Sequence, residues 1–310
     1  MRTMRIGVGV GEIAGQPATI DDLIDQVKQA ERDGFASAWF ANIFGMDAIM
    51  ACALAGRETE RIELGTAVVP TYPRHPTAMA QQALSASAAC NGRFTLGIGL
   101  SHQIVIEGMF GFSFAKPFSH IREYMAVLRP LLEHGAASFE GKEFRVQATI
   151  AVTGATPPPI LIAALAPKML GLAGSEASGT ITWMTGPKTL REHTIPRLRE
   201  AAASAGRPAP RVVCGLPIAV CDDPRAARER AAQQFQIYGG LPSYRAMMDR
   251  EGVGGPAELA IAGDEGQVAD ALARLEDIGV TDFLAAMFPV GDDPRASIAR
   301  TRALLVKLAR

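Results

Sequence analysis

One pattern constrains this chain more than any other: a short apolar run, a polar corner and a helical stretch, repeated eight times. The runs are RIGVGV (5–10), SAWFAN (37–42), IELGTAVV (62–69), FTLGIGL (94–100), PILIAAL (159–165), GTITWM (179–184), VVCGLPIAV (212–220) and DFLAAMF (282–288). Several lack the alternation of a half-solvated strand, as parallel strands covered on both faces do. Helical patterns follow each run. Thr19 and Asp22 form a capping box ahead of Leu23, Ile24, Val27 and Ala30, and Gly34 stops that helix. Further helices are predicted over 46–57, from Pro76 to Asn91-Gly92, over 118–133, from Pro167 to Gly174, and over 187–204, 224–236, 265–278 and 294–308. A small hairpin is predicted near FEGKEF, and residues 239–262 fit no element.

Eight such units in 310 residues predict an α/β fold, a (β/α)8 TIM barrel with insertions, as one domain spanning 1–310. A doubly wound sheet is the alternative. Its dinucleotide fingerprint is not met, because Gly7 and Gly9 have the first spacing but Glu12 stands where the third glycine belongs.

Composition limits the partners. A formal net charge of −1 gives no electrostatic basis for nucleic acid or an acidic membrane. No run approaches the ~20 apolar residues of a membrane span, and the start of the chain lacks the apolar stretch of a signal peptide. Cys52, Cys90, Cys214 and Cys221 have no metal spacing and sit in apolar patterns, which reads as buried, reduced thiols. A cytoplasmic protein acting on a small molecule is expected.

In a barrel of this kind function gathers where the strands finish. Those ends carry mostly small, amide-bearing and apolar residues, with His75 and His102 the histidines among them; His120, His134 and His193 fall on helices. No H-x-H or H-E-x-x-H occurs, so no metal site is expected. Glu12 is the one carboxylate at a strand end, with Glu107 further on, which is too few for glycoside hydrolysis. No predicted strand contains a Schiff-base lysine, and GLSHQ lacks the second glycine of a nucleophile elbow. Such a pocket suits a large flat cofactor that supplies the chemistry itself.

AERDGFASAWFAN, RIELGTAVVPTYPRHPTAMAQQALSASAACNGRFTLGIGLSH, REYMAVLRPLL and ILIAALAPKMLGLAGSEASGTITWMTG together resemble the luciferase-like oxidoreductase family, in particular its actinobacterial branch using the deazaflavin coenzyme F420. The order L-G-T-x-V-x-P, R-H-P, N-G-R-x-x-L-G-x-G carries the likeness most specifically. The resemblance implies a non-proline cis peptide at Ala67–Val68, after Thr66, backing the central ring of the cofactor. It implies cofactor contacts from Asn42, and a phosphate near Ala164, Leu165 and Ala166, flanked by Thr185 and Gly186, where helix starts favour anions. Arg74 would meet an anionic tail or else stand solvated.

The chain also departs from the family. Its sugar-phosphate dehydrogenases have Asp-His where this chain has Asn42-Ile43, and a Glu where it has His102. His102 is therefore the candidate proton donor or substrate-orienting group, with Glu12 second. Trp183, Phe44, Phe110 and Phe112 are candidates for an apolar substrate pocket. The expectation is an F420-dependent oxidoreductase, commonly a homodimer in such relatives. The alternatives are an FMN-dependent monooxygenase and a non-catalytic flavin- or deazaflavin-binding barrel.

Overall fold

The computed structural model describes residues 4–11 and 18–309. Its strands are β1 (Arg5–Val10), β2 (Ser37–Phe40), β3 (Glu63–Thr66), β4 (Val69–Pro70), β5 (Phe94–Gly99), β6 (Ala136–Glu140), β7 (Arg145–Thr149), β8 (Ile160–Ile162), β9 (Gly179–Trp183), β10 (Arg211–Val220), β11 (Ile261–Gly263) and β12 (Asp282–Met287). Parallel pairing runs β1-β2-β3-β5-β8-β9-β10-β12, and Arg5 opposite Asp282 returns β12 to β1. The result is a closed barrel of eight parallel strands in chain order. The antiparallel hairpin β6–β7 lies where FEGKEF predicted it.

Helices α1 (Ile20–Asp33), α2 (Ala48–Arg57), α3 (Pro76–Ala89), α4 (Gln103–Gly108), α5 (Pro117–His134), α6 (Pro167–Glu176), α7 (Pro187–Thr189) and α8 (Ile195–Ser204) follow the early strands. Then come α9 (Pro224–Gln234), α10 (Gln236–Gly240), α11 (Pro242–Glu251), α12 (Glu265–Asp277) and α13 (Pro294–Leu308). The Thr19–Asp22 capping box and the left-handed Gly34 bound α1 as expected. The helix predicted over 187–204 is interrupted by a π turn at Leu190–Thr194. Pro196 follows it, and a proline has no N–H to give the ladder.

Two predicted strands are shortened. The 62–69 run breaks after Thr66 and resumes as β4, while the 159–165 run keeps three paired residues. The unassigned stretch 239–262 holds α11, a 3-10 turn at Pro256–Leu259 and β11, which extends the end of β10. All four cysteines are buried free thiols. Among the described residues, no helix is long and apolar enough to cross a membrane.

The barrel interior is a compact layer of Trp39, Leu161, Ile181, Val213 and Leu284, one from each of five strands. Trp39 fits because β3 offers a glycine beside it: a Cβ at Gly65 would lie 2.3 Å from its ring. Below this layer, at the N-terminal end, four of the eight barrel strands begin with a charged residue. Arg211 meets Glu63 at 2.9 Å and grips Asp282 with two contacts of 2.7 and 3.3 Å. Arg5 pairs with Glu63, and Thr95 donates to Glu63 at 2.7 Å. Burial alone would raise the pKa of Glu63, but the guanidinium groups of Arg211 and Arg5 hold it below the usual carboxylate value.

Candidate active site

At the opposite end of the barrel the chain departs from β3 at Thr66. The Thr66 hydroxyl donates to the Gly97 carbonyl at 2.7 Å and accepts from the Gly97 amide at 2.9 Å, so its side chain fastens this corner to β5. The Ala67–Val68 peptide is cis, as the resemblance implies. Ala67 donates to Phe40, and pairing resumes with Val69 opposite Ile98. The glycines of LGIG make room for the detour. A Cβ at Gly97 would fall 1.9 Å from the Thr66 carbonyl oxygen, and one at Gly99 would fall 2.7 Å from Val68 Cγ2. Ala67, Val68 and Ala163 therefore lie on the interior layer as an apolar floor to the mouth.

The rest of the N-G-R and R-H-P signals hold this corner from outside. Arg93 donates to the carbonyls of Ile62, Gly56 and Thr59 at 2.7–2.8 Å, fixing the approach to β3. Arg74 forms an ion pair with Asp47 and reaches Asn42 Oδ1 at 3.5 Å. That same oxygen accepts from the Ala48 amide at the start of α2. Both residues thus already have partners within the chain. His75 is the N-cap of α3, and the Tyr124 hydroxyl donates to the Arg74 carbonyl at 3.0 Å. His120, on α5, is buried behind the corner. It hydrogen-bonds Thr71 at 3.0 Å and stacks on Tyr72 at 3.8 Å, and burial lowers its pKa to about 4.

The β8 and β9 ends form a second side. The Ala164 amide faces Thr180 Oγ1 at 3.3 Å, and the Leu165 carbonyl accepts from His193 Nε2 at 2.7 Å, which fixes the proton on that nitrogen. Burial lowers the basicity of His193 against the pull of that carbonyl, and the charges of Arg250 and Arg197 lower it further. Ala166 then begins α6 with no side-chain cap, and Lys168 stands exposed in the first turn. The helix start after β9 differs. Thr185 is buried and donates to the Trp183 carbonyl, while Glu251 of α11 accepts from the amides of Lys188 and Thr189 at 3.1 and 2.7 Å. A carboxylate of the chain itself therefore sits beside Gly186, where the resemblance implies a phosphate. A Cβ at Gly186 would lie 2.3 Å from that carboxyl carbon.

His102 is half-buried at the start of α4, and burial lowers its pKa. Its ring meets Tyr244 of α11 at 5.6 Å; Tyr244 meets Tyr238 at 5.2 Å, and Tyr238 meets Trp183 at 5.8 Å. This aromatic chain spans the mouth from β5 to β9. Phe44, Phe110 and Phe112 are exposed, with Ile104 and Met109. Glu12 lies outside the described residues. Tyr238, Tyr244 and Glu251 were not anticipated; two tyrosines flanking a Gly-Gly-Leu-Pro turn were the available signal. Among the described residues no three His, Cys, Asp or Glu side chains converge to hold a metal.

The sequence pattern of the luciferase-like monooxygenase family matches residues 4–295, and the chain belongs to that family of oxidoreductases. A Mycobacterium tuberculosis protein provisionally named a coenzyme F420-dependent oxidoreductase is 28% identical over 303 residues, covering 92% of this chain and 85% of that one. Among solved structures, the coenzyme F420-dependent tetrahydromethanopterin reductase of Methanopyrus kandleri superposes with a TM-score of 0.82 at 22% identity, covering 99% of this chain and 100% of that chain. The oxygenating constituent of 3,6-diketocamphane monooxygenase from Pseudomonas putida, solved with FMN, gives 0.75 at 16% identity, covering 99% and 97%. The two structures share the barrel fold with this chain.

Proposed function

We propose that this protein is an F420-dependent oxidoreductase, moving a hydride between the deazaflavin and a small organic substrate. The observation that carries the reading is the two-sided mouth. An apolar floor at Ala67–Val68 lies across from an uncapped helix start at Ala166 with Lys168 beside it. A planar ring with an anionic tail matches that polarity. The cradle fits: glycines at 97 and 99 leave room for the detour that forms the floor, and Gly186 leaves room for Glu251 at the start of α7. The likeness to the mycobacterial protein supports F420 as the group.

When bound, the deazaflavin would supply the hydride acceptor or donor. The residues of this chain do the rest. Ala67 and Val68 support one face of the ring, and the amides after Ala166 with Lys168 receive the phosphate. Tyr238, Tyr244 and Trp183 limit water at the mouth. His102, held neutral near pH 7 by burial, exchanges a proton with the substrate. A second reading, an FMN-dependent monooxygenase, is favoured by one feature: Arg74 is tied to Asp47 and is not free for a longer anionic tail. Quenching of the protein's tryptophan fluorescence on separate addition of F420 and FMN tests the choice. Micromolar binding of F420 with weaker FMN binding is expected; binding of FMN alone contradicts it.

A further inference from the structure

Strands β8 and β9 pair side by side, and each hands the chain to a helix start: Ala166 for α6, and Gly186 for the helical run that opens with α7. The two starts are tied together. His193, one turn beyond Thr189, donates from Nε2 to the Leu165 carbonyl at 2.7 Å, just ahead of α6. They differ in what they leave for a ligand. Pro167 has no N–H and the Leu170 amide bonds the Ala166 carbonyl, so α6 presents the amides of Lys168 and Met169 with no side-chain cap over them. Beyond Gly186 the amides of Lys188 and Thr189 are already taken by Glu251, at 3.1 and 2.7 Å.

The carboxylate is held there by more than those two bonds. Thr189 Oγ1 donates to the Met247 carbonyl at 3.3 Å, which keeps α11 against α7. Gly186 supplies the space, because any larger residue would put a Cβ 2.3 Å from the Glu251 carboxyl carbon. No charge on His193 offsets it. Among the described residues the Nδ1 atom of His193 is buried without a partner, and burial lowers its pKa. Arg197 is engaged with the His193 carbonyl at 3.2 Å, and Arg250 is exposed, where salt screens it.

One open helix start beside one filled by the chain's own anion limits the phosphate group that fits. A phosphodiester has two non-bridging oxygens and a single negative charge, which two amides and a neighbouring lysine match. A phosphomonoester has a third terminal oxygen and close to two charges at neutral pH. That oxygen finds the next amides taken, and the added charge faces a carboxylate. Resting on the cofactor reading above, we propose that Glu251 is a cofactor-specificity residue. By filling the helix start beside Gly186 it favours a tail joined through a phosphodiester, as in F420, over one that ends in a phosphomonoester, as in FMN. The carboxylates of the F420 tail lie several bonds beyond the diester, where salt weakens their repulsion from Glu251.

The test is calorimetric titration of the wild-type protein, Glu251→Gln and Glu251→Ala with F420, FMN and riboflavin, the last being FMN without its phosphate. The wild type is expected to bind F420 more tightly than FMN. Glu251→Gln removes the charge and keeps an acceptor. Each negative charge at the α6 start should then gain about fivefold, so that FMN tightens about fivefold more than F420. Glu251→Ala also frees the two amides and should tighten FMN at least as far. Riboflavin should not move in either variant, which separates an effect on the phosphate from a shift of α11. Equal tightening of FMN and F420, no tightening of FMN, or riboflavin following FMN overturns the proposal while F420 binding stands. Failure of the wild type to bind F420 at all overturns the cofactor reading instead.

Discussion

The two ends of the barrel are built from the same eight strands and have opposite chemistry. At the N-terminal end Arg5, Glu63, Thr95, Arg211 and Asp282 meet in a half-buried network in which every charge has a partner. At the C-terminal end the strands finish in Ala67, Val68, Gly99, Ala163 and Trp183, and the rings of His102, Tyr244, Tyr238 and Trp183 meet in a chain across the mouth. The layer around Trp39 separates them. One end is satisfied and locked. The other presents apolar and aromatic area, which costs stability and leaves room for a ligand.

Breaking the locked end should give the largest effect. Arg211→Met removes the charge shared by Glu63 and Asp282 and leaves Arg5 alone to neutralise them. Removing one member of a buried ionic set costs about 3–5 kcal/mol; the lower figure is expected, because Arg5 remains. Denaturant unfolding measures it, and F420 affinity per folded molecule should not change. Gly99→Val attacks the open end instead, since Val68 already occupies the space a side chain would need. It should cost about 1–3 kcal/mol as overpacking and weaken F420 at least as strongly as it weakens the fold. If Arg211→Met weakened F420 and Gly99→Val did not, the division of labour between the ends would be wrong.

Much of this contrast was written in the sequence, though unevenly. The eight apolar runs disclosed the barrel because parallel strands covered on both faces need no alternation. The break after β3 was implied only by the family resemblance, since the residues themselves read as one strand over 62–69. The ionic network went unread although Arg5, Glu63, Arg211 and Asp282 each occupy the first position of their strand; only a closed barrel brings those four positions together. Tyr244 and Glu251 were hidden for a different reason. They lie on a short helix outside the βα beat, positioned by tertiary contacts with α4 and α7 that no local periodicity encodes. The resemblance implied a phosphate beside Thr185 and Gly186, but the sequence did not reveal that Glu251 would cap the helix beginning there.

Smaller perturbations refine the comparison. Glu251→Gln weakens the cap on α7 and should cost about 1 kcal/mol, as loss of a helix cap does. Amide exchange in Pro242–Glu251 should quicken and KM should rise, with exchange at the N-terminal network unaltered. Acid gives the mildest signal. His120 has a pKa of about 4 in the fold against an ordinary 6.5, so between those values the unfolded chain binds a proton that the folded chain does not. Stability should therefore fall as pH drops from 6.5 towards 4. Glu63, depressed below 4.5, adds its loss only lower, as pH falls through its folded value. His120→Gln should flatten the upper part of that slope and spare the lower, measured as thermal midpoints across pH.

The most direct measurement is a crystal structure of the protein soaked with F420. The expected result is the tricyclic ring in van der Waals contact with Ala67 and Val68, its phosphate at the amides following Ala166, and Glu251 still on Lys188 and Thr189. A ring lodged elsewhere, or a phosphate that has displaced Glu251 and left the start of α6 bare, would contradict it.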